Sequence, residues 1–373
     1  MEKSEEKKTD LCFAAAKNVI RECSTPHGLF ASAGKKGYNA VWSRDSMISM
    51  IGASIINDDK FKEVFKQSII TLAENQSRNG QIPNCVDKWS ERKAHVDFKT
   101  IDSSLWFIIG NYIYKERYYD DSLLKKYKDN IQKALYWLQS QGGDFVGGML
   151  YQLPTSDWQD AFPHRYGFTI NTQALYFKLL NMIWDIDEAV KLKINVNNDL
   201  DDSLWNGKYY YSYRWKNHNK YKEIGDFFDS LGNILAIVFD LADKDKSEKI
   251  LDYIKKNKIN QPYPLRAIYP PIKRGSKYWQ DYYLDCLAGK PNHYLNGGIW
   301  GYIGGFYILA LVKMKKLKEA EEELEKLATR NLNGNFPEWS HPVTKKHYGG
   351  LQAWEAGMYI LAYECVKEGK VLI

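Results

Sequence analysis

Two carboxylates three residues apart flank an indole in "TSDWQDAF", residues 155–162: Asp157, Trp158 and Asp160. Either the acids decorate a solvated turn or one of them handles a proton beside a bound sugar ring. An acid that donates a proton at neutral pH needs burial against apolar neighbours to raise its pKa. Trp158 and Phe162 are available for that. A third acid is harder to assign to the surface: Glu338 lies between Pro337 and Trp339, in a loop with no helix to cap. Two carboxylates from distant parts of a chain, among Trp, Tyr, Arg, Asn and Gln, are what glycosidic hydrolysis requires. One protonates the leaving oxygen while the other activates water or attacks the anomeric carbon.

Further polar residues could hold a sugar. In "VWSRDS" (41–46), Trp42 offers a flat platform, and Arg44 with Asp45 a bidentate donor and an acceptor for ring hydroxyls. The plainer reading has Ser43 or Asp45 capping a helix and Arg44 paired with a neighbour. Asp102 in "IDSSLWFIIG" (101–110) is either a helix cap or an acceptor one turn from the Trp106 indole. Asn171 and Gln173 stand near the start of the helix in "RYGFTINTQALYF" (165–177). The loop 278–300 concentrates Trp279, Asp281, Tyr282, His293, Tyr294, Asn296 and Trp300, and 333–359 adds Trp339 and Gln352. Glu355, inside an apolar helix, reads as a satisfied buried carboxylate or as a partner behind the site.

Other chemistries are excluded. The Gly-rich "QGGDFVGG" (141–148) lacks the following Gly-Lys-Ser/Thr of a phosphate cradle. No G-x-S-x-G, Cys/His pair or H-E-x-x-H points to acyl transfer or metalloprotease chemistry. Cys12, Cys23, Cys85, Cys286 and Cys365 are odd in number and far apart, so no metal and no cofactor is expected, and a reducing cytoplasm fits best. The net charge of +6 comes from 52 basic and 46 acidic residues in mixed order, without the concentrated basic face of a nucleic-acid binder. The charged N-terminus lacks a signal peptide's apolar core. The uncharged run 291–312 begins as a loop, so its apolar remainder reads as a buried helix and no membrane partner is expected.

Helical periodicity recurs over roughly 7–24, 44–56, 59–76, 101–116, 121–140, 170–194, 200–205, 228–242, 245–256, 297–313, 316–329 and 349–367. Helices with one charged face alternate with uniformly apolar ones, the pattern of two concentric rings. Six such pairs account for residues 1–373 as one all-α toroid of (α/α)6 type. Residues 1–10 form a flexible end, and 206–215 offers a small hairpin. The loops between helices hold most of the uncommon residues, and loops are where binding and catalysis concentrate.

The motif order resembles the (α/α)6-barrel inverting glycoside hydrolases, in particular the group of amylo-α-1,6-glucosidase and the neutral/alkaline invertases. It rests on "VWSRDS", "IDSSLWFI", "SDWQDAF" with "GFTINTQALYF", "DFFDSLGNILAIVF", "YPP" with "WQDYYL", "NHYLNGGIWGYIGGFY" and "FPEWSHPVTKKHYGGLQAWEAGMYILAY", spread from about residue 37 to 367. The resemblance implies that Asp160 is the general acid and Glu338 the general base, with room for water between carboxyls about 6.5–9.5 Å apart. Asp157 is the competing acid. It further implies that Trp42, Arg44, Asp45, Asp102 and Trp158 line the sugar subsite, with His293, Asn296, Trp300 and Gln352. Asn171 departs from the Glu that the named families commonly carry, which alters the hydroxyl contacts. The expected substrate is an α-linked glucoside or short gluco-oligosaccharide, with sucrose as the alternative and non-catalytic sugar binding as the second. A sugar epimerase would use paired histidines, and the seven histidines form no evident pair in these loops. A homodimer stays open, with no interface named by the sequence.

Overall fold

A computed structural model describes residues 7–34, 37–89, 95–142, 148–198, 203–217, 221–284 and 289–373. Among these the helices are, in chain order, α1 (Lys8–Cys23), α2 (Ser43–Ala53), α3 (Asp59–Glu74), α4 (Asp102–Tyr118), the short α5 (Ser122–Lys126), α6 (Lys128–Ser140) and α7 (Ile170–Met182). They continue with α8 (Ile186–Asn197), α9 (Ser230–Val238), α10 (Lys244–Lys256), α11 (Gly301–Lys313), α12 (Leu317–Gly334) and α13 (Ala353–Glu368).

Two kinds of helix alternate. Every residue of α2 and of α9 is buried, and α11 is buried from Gly301 to Val312. Helices apolar all round must be covered on all sides. The structure covers them by closing a ring in which α2 packs on α4, α4 on α7, α7 on α9, α9 on α11, α11 on α13, and α13 on α2. The amphipathic α1, α3, α6, α8, α10 and α12 lie outside this ring, each against the inner helix that follows it or precedes it. The ring closes tightly. A Cβ on Gly52 would lie 2.0 Å from the Gly357 carbonyl oxygen, and one on Gly357 would lie 2.3 Å from that of Ser49. Backbone meets backbone where the first and last inner helices touch.

The structure corrects the all-α expectation. Eleven short strands in four small sheets accompany the helices among the described residues. The expected hairpin at 206–215 is displaced and longer: Tyr211–Asn217 pairs with Tyr221–Asp229, flanked by Phe168–Thr169 and Ile268–Tyr269. Alternating aromatic and polar residues give these strands a period of two that 3.6-residue matching misses. Three of the strands stand where the chain enters an inner helix: Val41–Trp42 before α2, Phe168–Thr169 before α7, Tyr221–Asp229 before α9. They aim those entries.

Other boundaries shift. The expected helix 170–194 breaks at Trp184, which sits in the left-handed region (φ 63°), giving inner α7 and outer α8. The segment 121–140 divides at Tyr127. Of the expected helix 200–205, residues 203–205 are not helical and 200–202 lie outside the described residues, as do residues 1–6, the centre of the 141–148 loop and Cys286. The run 291–312 becomes a loop followed by the buried α11. No described helix is long and apolar enough to cross a membrane.

The glycine contact makes a test. Gly52→Ala forces α2 and α13 apart and is expected to cost about 1–3 kcal/mol or more, read as a fall in the urea unfolding midpoint. An unchanged midpoint would contradict the backbone contact.

Candidate active site

Three inner helices, α2, α11 and α13, bring the residues at their starts to one site. Trp42, Trp300 and Gln352 are the residues immediately before α2, α11 and α13. With Ala31, Tyr38, Arg44, Asp45, Trp158, Asp160, Tyr294, Glu338 and Trp354 they line one cavity of about 90 Å³. Asp160 and Glu338, 178 residues apart by subtraction of their numbers, thus face the same space.

The two acids are held differently. Tyr38 and Tyr294 each donate a hydroxyl to Oε1 of Glu338 at 3.2 Å. The loop below Glu338 is fixed by Arg330, which donates to the Pro337 carbonyl at 3.1 Å and to Glu355 at 2.8 Å. Glu355 is thus a buried partner behind the site, with Oε2 on Arg330 and Oε1 without a hydrogen bond among the described residues. Asp160 is held through its backbone, where Lys99 donates to its carbonyl at 2.5 Å. Its carboxyl makes no side-chain hydrogen bond among the described residues and faces the cavity.

Asp157, the rival acid, has no cavity-facing oxygen to offer. It is fully buried, and Oδ2 accepts from Arg165 at 2.5 Å and from Gln152 at 3.1 Å. Oδ1 accepts from the Gln159 amide at 3.0 Å. Arg165 also pairs with Asp229, the residue before α9. This ion triplet pins the loop that carries Asp160 to the inner ring.

Several other expected residues stand behind the cavity rather than in it. Asp102 is fully buried and pairs with Nη1 of Arg44 at 3.2 Å; its side chain makes no helix-cap bond. Trp106 packs in the core against Phe306, with ring centres 6.2 Å apart. Gln173 brackets Leu150, accepting from its amide at 3.0 Å and donating to its carbonyl at 2.9 Å. Asn296 ties Ile272 to Gly289 with three hydrogen bonds. Trp339 stacks on Tyr348 at 4.0 Å, and His293 lies against Trp339 and His341. The expectation of no histidine pair needs correcting, since the His293 and His341 ring centres are 5.0 Å apart, but neither lines the cavity. Asn171 is fully buried, with both amide atoms unpartnered among the described residues. Packing turned these side chains away from the cavity; residue type alone carries no such direction.

Tyr38 and Trp354 are cavity-lining aromatics that residue type left unassigned, and Tyr294 carried no role in the sequence reading. Their signal lay in adjacency: Tyr38 is four residues before Trp42, and Trp354 two after Gln352. Trp42, Trp158 and Trp354 all border the cavity with indole N–H groups unpaired among the described residues. They are unused donors beside a space lined by acids. No group of three or more His, Cys, Asp or Glu among the described residues is placed to hold a metal ion.

Burial dominates the electrostatics. It pushes Glu338 up to about 7, against the two tyrosine donors and with the Asp160 charge adding to it. Burial raises Asp45 to about 7 and Asp102 to about 6, both opposed chiefly by Arg44. Asp160 also rises through burial, opposed by Arg44 and Lys99.

Residues 14–358 match the family model described as amylo-alpha-1,6-glucosidase. The chain belongs to that glycoside hydrolase family. Two curated relatives are alkaline/neutral invertase E of Arabidopsis thaliana, 29% identical over 143 residues, and neutral/alkaline invertase 1 of Oryza sativa subsp. japonica, 28% identical over 155. These matches cover 36% and 39% of this chain but only 22% and 24% of the relatives, so they span under a quarter of those proteins. Among solved structures, the GH63 mannosylglycerate hydrolase of Thermus thermophilus superposes with a TM-score of 0.71 at 12% identity, covering 94% of this chain and 99% of that one. A rhamnosidase from Klebsiella oxytoca gives 0.67 at 13% identity, covering 98% and 65%. These likenesses establish the six-hairpin glycosidase fold.

Raised carboxyl pKa values make stability depend on pH. Folded Glu338 binds its proton more tightly than the unfolded chain does, so stability is fully present below pH 4.5 and is lost as pH rises through about 7. For Glu338 alone the loss is on the order of 3 kcal/mol. Glu338→Gln is therefore expected to gain thermal stability relative to the parent on going from pH 5 to pH 8. A difference in melting temperature that does not vary with pH would contradict this.

Proposed function

We propose that the protein is an inverting glycoside hydrolase acting on a small α-glucoside. The observation that carries the reading is that Asp160 and Glu338 line one aromatic-walled cavity in chemically distinct settings. Asp160, raised by burial, donates its proton to the glycosidic oxygen as the C–O bond breaks. Glu338 takes a proton from a water that attacks the anomeric carbon from the opposite face, so the released sugar has inverted configuration. Two tyrosine donors on one oxygen fix the Glu338 carboxylate and leave the other oxygen for that water. Trp42 and Trp158 offer ring faces and unpaired donors, and Arg44, Asp45 and Gln352 supply polar contacts to hydroxyls. Asp102 acts by orienting Arg44, and Asp157 by orienting the loop of Asp160.

Sucrose is the second reading, favoured by the sequence match to invertases. It is itself an α-glucoside with a small leaving group, so the same catalytic roles serve. A panel of sucrose, isomaltose, maltose, trehalose and limit dextrin, read for released glucose and for its anomer by NMR, separates the two. Asp160→Asn and Glu338→Gln are each expected to lower kcat by about 10²–10⁴. Sugar binding with no turnover in the parent protein would instead favour a binding role.

The acid limb of the kcat/KM profile reports the base, which must be ionised, and is expected near pH 7. Tyr38→Phe removes a donor that favours the ionised form, so the limb should move up by about one pH unit. A limb that stays in place would deny Tyr38 that role.

A further inference from the structure

Outer helix α8 carries an apolar seam on its solvent side. Ile186, Val190 and Ile194 are 45%, 52% and 58% exposed, and Trp184, just before the helix, is 82% exposed. Single exposed aliphatics are ordinary on protein surfaces. Here three recur at intervals of four residues, one above the next on a single face, over about 12 Å of helix. The opposite face is already used, since Ala189, Leu192 and Val196 are buried against the ring.

Charge order along α8 selects an occupant. Asp187 and Glu188 lie in its first turn, and Lys191 and Lys193 about its middle. Lys193 is committed to the Asp240 carbonyl at 2.5 Å. Lys191, 53% exposed, meets only Glu188 among the described residues, at 3.6 Å. Asp187 and Lys191 are four apart and so stand on the same flank of the seam. In antiparallel pairing of two identical helices, equivalent flanks face each other. The acid of one copy then meets the base of the other, whereas parallel pairing sets like against like.

We infer that α8 is a two-fold interface between copies of this chain. Val190 packs on Val190 of the second copy near the axis, and Ile186 packs on Ile194 of the second copy. Asp187 faces Lys191 of the second copy. An isologous contact of this kind closes at two subunits. One twelve-residue helix, about 18 Å long, offers less than the ~800 Å² per partner of a standard interface. The dimer is therefore concentration-dependent, with dissociation in the micromolar range. α8 lies on the outside of the ring, away from the residues lining the cavity, so pairing leaves catalysis intact.

Sedimentation velocity over about 1–100 µM tests this with the whole chain. The parent protein should shift from monomer to dimer across that range. Val190→Glu should remain monomeric while keeping its glycosidase activity and melting temperature. Asp187→Lys and Lys191→Asp alone should each weaken association about ten-fold, and the two together should restore it. A parent protein monomeric at the top concentration overturns the inference. So does a Val190→Glu variant that still dimerises, or a double variant no better than the single ones.

Discussion

The site depends on keeping several carboxyl groups out of water inside a ring of apolar helices. Asp45, Asp102 and Glu355 lie in the first turns of α2, α4 and α13, and Asp229 is the residue before α9. Acids are tolerated there because the unpaired amides of a helix start carry partial positive charge. Arginines do the rest: Arg44 serves Asp102, Arg165 serves Asp157 and Asp229, and Arg330 serves Glu355. Even so, burial outweighs these partners at Asp45, Asp102, Asp229 and Glu355 and holds their pKa values above the ordinary carboxylate range.

That balance separates the acids by task. Asp157 has every oxygen engaged and braces a loop. Glu338 is held by two hydroxyls on one oxygen, fixed yet free on the other side. Asp160 has a bare carboxyl aimed at the cavity. The same side-chain chemistry supports three jobs because the number and placement of donors differ. Burial of the last two acids lowers stability near neutral pH.

Much of this could be read from residues alone. The alternation of apolar and amphipathic helices marked the two rings, since a helix apolar all round has only one way to satisfy its surface. Trp42, Arg44, Asp45, Trp158, Asp160, Trp300, Glu338 and Gln352 all reached the cavity. What could not be read was direction. Trp106 and Trp158 are both indoles beside a candidate acid, yet one points into the core and the other borders the cavity, a difference set by tertiary packing. Asp102 looked like a cap and is an ion-pair partner instead. The four-stranded sheet was legible only as a hairpin, because Phe168–Thr169 and Tyr221–Asp229 run directly into α7 and α9 and the helical period masks their ends.

The contact of Gly52 with Gly357 joins the first inner helix to the last, and nearby the Tyr359 hydroxyl donates to the Thr9 carbonyl across 350 positions of sequence. A closed ring of this kind has no partial form: its wall stays open until the final segment is in place. During synthesis on the ribosome, most of the chain must wait as an unsealed arc with the apolar flanks of α2 and α11 uncovered. Any factor that shields nascent apolar surface would thus have most to do here in the interval before α13 emerges and closes the wall around the cavity.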